Sequence, residues 1–111
     1  MTWIDLTNIQ QLADLKELSK TTPQVIFKHS TRCSISSMAK SRLERNEQPA
    51  TCDFYFLDLI RHRSISDKIS EDFEVNHESP QILLIKNMEC VYEESHNGIH
   101  MAEIAEQIAL N

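Results

Sequence analysis

A chain of 111 residues, 41% hydrophobic and 25% charged, has the balance of one globular domain and leaves no room for a second. Eleven basic against seventeen acidic side chains give a formal charge of −6, which repels phosphate backbones and anionic bilayers alike, so neither nucleic acid nor a membrane is an expected partner. A single glycine, Gly98, excludes the glycine-rich loops that cradle nucleotide phosphates.

The opening MTWIDLTNIQ lacks the basic flank and apolar stretch of a signal peptide, and the apolar runs at 25–27 and 82–85 are too short to span a bilayer. One cytoplasmic domain over 1–111 is therefore expected. Three cysteines (Cys33, Cys52 and Cys90) at unrelated spacings make no disulfide framework and suit a reducing compartment.

Thr7-x-x-Gln10 reads as a capping box, and Ile9, Leu12, Leu15 and Leu18 then predict a helix. Pro23 follows its end, and the apolar run 24–28 predicts a buried strand. After Cys33 the period changes: Ile35, Met38, Ala39, Arg42 and Leu43 predict a helix over 34–46, broken before Pro49. The aromatic run 53–58 predicts a second strand, and Ile65, Ile69 and Phe73 a helix over 64–73. Ser79-Pro80 precedes a strand over 81–86, a tight turn at Asn87-Met88 and a hairpin partner over 89–95. Glycine would be expected where Met88 stands. Met101, Ile104, Ala105 and Ile108 predict a closing helix. The order α-β-α-β-α-β-β-α implies a mixed four-stranded α/β sheet flanked by helices, with an extra helix at the N-terminus. With a cysteine after the first strand, that order points to a thioredoxin-like fold.

Cys33 falls where the first predicted strand gives way to its helix. The first turn of a helix leaves N–H groups without partners and concentrates positive potential, which stabilises a thiolate over a thiol. Arg32 adds a neighbouring positive charge, and His29 contributes if it points toward the sulfur. The alternative is a small residue packed under a loop, against which the polar flanks Ser30, Thr31, Arg32 and Ser34 argue.

Ser36 stands where a dithiol oxidoreductase carries its second cysteine. Serine cannot resolve a mixed disulfide, although its hydroxyl can donate to the Cys33 thiolate. The expected chemistry is monothiol exchange. Cys52 and Cys90 read as packed, with Cys52 as resolving thiol a minor alternative. No metal site is expected: His96 and His100 are separated by Asn97-Gly98, which breaks helical geometry, and His62 and His77 sit in polar loops. A Cys33/His29 hydrolase pair lacks an oxyanion-hole signature.

The stretch FKHSTRCSISSMAKSRLE (27–44) and the block RSISDKISEDFEVNHESPQILLIKN (63–87) resemble the YtxJ-type monothiol bacilliredoxins of the thioredoxin superfamily. The resemblance implies a thioredoxin fold and removal of a low-molecular-weight thiol, such as bacillithiol, from mixed disulfides on S-thiolated client proteins. It implies no bound cofactor, the small thiol serving as co-substrate. Carried over residue by residue, Cys33 would be the nucleophile and Pro80 the superfamily's cis-proline. Ser79 would offer backbone hydrogen bonds to an extended substrate. The sequence departs from the commonest family form at Ser34, where proline is frequent.

Two rival readings remain. A thioredoxin-fold interaction module without turnover would explain the missing second cysteine. Iron–sulfur carriage of the monothiol-glutaredoxin kind would need a Cys-Gly-Phe-Ser motif, and Ser34 and Ile35 occupy its middle positions.

Overall fold

The computed structural model describes residues 1–110. In chain order the elements are β1 (Trp3–Asp5), α1 (Ile9–Leu18), β2 (Gln24–His29), α2 (Ser34–Glu44), β3 (Asp53–Asp58), α3 (Arg63–Phe73), β4 (Gln81–Lys86), β5 (Glu89–Ser95) and α4 (Met101–Ala109). The strands form one sheet in the order β1-β3-β2-β4-β5. β1, β3 and β2 run parallel, β4 runs antiparallel to β2, and β5 pairs antiparallel with β4.

Strand alternation sends side chains to two cores. On one face Ile26, Tyr55, Leu57, Leu83 and Ile85 meet Leu12 and Leu15 of α1 and Ile65, Ile69 and Phe73 of α3. On the other Val25, Phe27, Phe54, Ile82 and Leu84 meet Ala39 and Leu43 of α2 and Met101 and Ile104 of α4. Helices thus cover both faces, and the central strand β2 is buried along its whole length.

The sheet has five strands, not the expected four. The sequence gives no alternation to betray β1, because three residues are too few to show a period. Pairing with β3 creates the strand: Trp3, Ile4 and Asp5 stand in register with Phe54, Tyr55 and Phe56, and the Trp3 indole stacks 5.5 Å from Phe27. α1 is accordingly no added helix. It is the crossover from β1 to β2.

Its start also moves by one residue. Asn8 is the N-cap, its side chain accepting from the Gln11 N–H at 2.9 Å, while Gln11 Oε1 accepts from the Asn8 N–H. Asparagine outranks threonine as a cap. Ile9 and Leu18 are exposed, since a three-residue step drifts about 60° per repeat around a helix with 3.6 residues per turn.

Candidate functional site

β2 delivers the chain to the site, and α2 carries it away. Cys33 is the N-cap of α2, in extended conformation (φ −113°, ψ 120°), with its carbonyl accepting the first helical bond from Ser37 N–H at 3.1 Å. Its own N–H donates to the Ser30 carbonyl at 3.2 Å, closing a tight turn. Serine, threonine or aspartate at an N-cap would accept from the first-turn N–H groups. Here no side chain does so. The partly exposed sulfur therefore stands at a helix entrance whose donors no side chain has claimed.

The residues expected around the sulfur divide. Arg32 is exposed in the turn just before Cys33. His29 and Ser36 are buried and joined to each other: Ser36 Oγ lies 2.7 Å from His29 Nδ1 and accepts the Ser30 N–H at 3.0 Å. One proton is shared between that hydroxyl and the imidazole. The expected Ser36 bond to the Cys33 sulfur is not formed among the described residues, because Ser36 lies on the buried side of α2 and faces β2. Burial, and next the Lys40 ammonium, hold His29 below the ordinary histidine range, so near neutral pH it is an uncharged strut. It holds the Ser30 turn through Ser36. Sequence spacing shows two polar residues seven apart, and only the fold turns them toward each other.

The Ser79–Pro80 peptide is cis. Lys28 pairs with Gln81 in the β2–β4 register, so Pro80, one residue earlier, comes abreast of His29 at the strand end that leads to Cys33. Pro80 is buried. Ser79 makes no backbone hydrogen bond among the described residues, and its buried hydroxyl has no partner there either.

Cys52 and Cys90 lie elsewhere. Gln24 stands in register with both Asp53 and Ile85, and Ile85 with Cys90, so both cysteines flank the start of β2, whereas Cys33 follows its end. Six residues at about 3.3 Å each separate those ends. This removes Cys52 as a resolving thiol for Cys33 in the folded chain. Burial pushes the Cys52 thiol up to about 12 and the Cys90 thiol up to about 11, and each donates to a backbone carbonyl, of Asp53 and Tyr92 respectively. Iodoacetamide at neutral pH is therefore expected to label Cys33 alone in the native protein and all three cysteines after denaturation. Peptide mapping checks this, and native labelling of Cys52 at a comparable rate would contradict the assignment.

Among the described residues no three or more His, Cys, Asp or Glu side chains stand together as a metal-binding group, and no helix is long and apolar enough to cross a membrane.

Comparison with known proteins agrees with this architecture. Residues 4–104 match the family model described as monothiol bacilliredoxin BrxC. A solved structure described as a candidate oxidoreductase with a thioredoxin fold is 30% identical, with a TM-score of 0.82, covering 93% of this chain and 90% of that one. Thioredoxin from Fasciola hepatica is 18% identical with a TM-score of 0.73, covering 94% of each chain. Thioredoxin from Malassezia sympodialis is 15% identical with a TM-score of 0.71, covering 96% of this chain and 88% of its own. The last two share the fold.

Proposed function

Because the chain belongs to the monothiol bacilliredoxin family, we propose that it removes a low-molecular-weight thiol, such as bacillithiol, from mixed disulfides on client proteins. The thiol oxidoreductase role follows from the family and the thioredoxin fold. The observation that carries the finer reading is Cys33 at the uncapped entrance of α2, with Ser36 rather than a cysteine one turn on.

In this cycle the Cys33 thiolate attacks the small-thiol sulfur of the client's mixed disulfide. A Cys33–small-thiol disulfide forms as the client's S–S bond breaks, and the client sulfur leaves as a thiolate that takes a proton from solvent. A second small-thiol thiolate then attacks the sulfur of the captured half, yielding the symmetrical small-thiol disulfide and restoring the Cys33 thiolate. Each step exchanges one S–S bond for another. At either end of the cycle the sulfur stands at the first-turn amides of α2, which no side chain has claimed, with Arg32 in the exposed turn just before it.

Ser79 and Pro80 receive the substrate beside this sulfur. The free backbone groups of Ser79 suit an extended chain, and the exposed side chain of Ile35, two residues past Cys33, offers a client apolar contact. Intact-mass measurement after exposure to oxidised bacillithiol is expected to show one adduct per chain, mapped to Cys33 and removed by reduced bacillithiol. A chain that forms no adduct under these conditions points instead to a non-catalytic interaction module.

A further inference from the structure

Lys28 lies on β2, one residue before His29, with its side chain fully buried on the opposite sheet face, the face of Ile26, Leu57 and Leu83. An ammonium taken out of water among apolar groups is costly unless a partner meets it. His77 is that partner: Lys28 Nζ lies 2.7 Å from His77 Nδ1, and Ser66 Oγ lies 3.5 Å from the same nitrogen. Among the described residues Lys28 makes no other side-chain hydrogen bond.

The contact sits at an informative place. His77 is two residues before Ser79, and Lys28 pairs in the sheet with Gln81, one residue after Pro80. The Ser79–Pro80 segment is thus held at both ends by one buried residue, through the sheet pairing on one side and through the imidazole on the other.

We propose that His77, as a neutral imidazole accepting from the Lys28 ammonium, is a positioning residue for the Ser79–Pro80 segment, and that its protonation releases the segment and slows exchange in mildly acidic solution. The inference rests on the exchange reading above. An imidazolium has no lone pair at Nδ1 for Lys28 and sets two cations at hydrogen-bond distance.

The surrounding charges agree with that sense. Asp67 of α3, Glu78 of the loop and Glu93 of β5 favour the charged Lys28, while burial lowers it to about 8, so it is mainly an ammonium at neutral pH. His77 is an exposed residue, yet partial desolvation of its ring first, then Lys28 and Arg63 of α3, lower it below its ordinary 6.5, against the opposing pull of Asp67 and Glu78. With a folded pKa below the unfolded one, the unfolded chain takes up the proton first. The contribution of the contact is therefore present above about pH 6.5 and lost as pH falls below it.

The test compares wild type with His77→Asn, whose amide oxygen can accept from Lys28 but does not titrate, across about pH 5 to 8. Client turnover, measured as release of bacillithiol from a bacillithiolated protein, is divided at each pH by the Cys33 alkylation rate, which normalises for the reactivity of the sulfur itself. The wild-type ratio is expected to fall about tenfold on the acid side, and the Ser79 and Gln81 amide resonances to move with the His77 ring titration. In His77→Asn the ratio stays flat and those amide shifts disappear; His77→Gln serves if the asparagine variant does not fold. An equal acid loss in the variant, or Ser79 and Gln81 amides that ignore the His77 titration, overturns the proposal. A wild type that turns over no client at any pH defeats the exchange reading alone, since the amide titration still decides whether His77 positions the segment.

Discussion

Replacing Cys33 with serine is expected to abolish client turnover while leaving the fold slightly more stable. A serine hydroxyl is not ionised near neutral pH and forms no disulfide, so loss of the nucleophile should lower the rate by more than about a thousandfold. The same atom stands at the N-cap of α2, where no side chain now caps the helix. Serine is among the preferred N-cap residues, and its hydroxyl would accept from the first-turn N–H groups, contributing about 0.5–1 kcal/mol. Opposite signs for activity and stability at one position are what a site that forgoes its cap for its chemistry requires. Turnover of a bacillithiolated client measures the first effect, and urea unfolding followed by Trp3 fluorescence the second. Turnover at the wild-type rate would mean that the reactive sulfur lies elsewhere.

Phe27→Ala is expected to be the most damaging of the core changes. Phe27 is fully buried on β2, between Phe56 of β3 and Ile82 of β4 in register, and its ring lies 5.5 Å from Trp3 and 5.8 Å from His29. Truncation removes the floor shared by the first strand and the His29–Ser36 strut. Such a change typically costs about 3–5 kcal/mol, against a total stability of about 5–15 kcal/mol for a domain of this kind. Phe27→Leu retains most of the volume and should cost about 1.5 kcal/mol or less. Urea midpoints of the two variants check the order, with Trp3, the single tryptophan, reporting the loss of its stacking partner. A loss below about 1 kcal/mol for the alanine variant would show that Trp3 and Phe56 close over the gap.

The candidate site was legible where its chemistry is local. A cysteine between a strand and a helix, with serine one turn on, points without coordinates to the candidate nucleophile and shows that no resolving cysteine stands in that turn. The partners of Ser36 and His77 were not legible, because each is met by a residue from another element: Ser36 by His29 across the β2–α2 turn, and His77 by Lys28 some fifty residues earlier. The hairpin turn shows a similar limit. Asn87 and Met88 both adopt left-handed backbone conformations (φ 51° and 68°), although methionine has no preference for that region. Contacts from the end of α1 hold the turn, the Ser19 carbonyl accepting from Asn87 N–H and the Ser19 hydroxyl from Met88 N–H.

By itself the sequence determined what short-range physics determines: which stretches alternate or repeat helically, which sulfur sits at a helix start, and that serine rather than a second cysteine stands three residues on. The tertiary structure decided the rest. It made a strand of Trp3–Asp5 by pairing it with β3, carried Cys52 and Cys90 to the far end of the sheet, and turned Ser36 from the sulfur toward His29. Strand register and helix packing set distances between residues far apart in the chain, and periodicity along the chain carries no information about those distances.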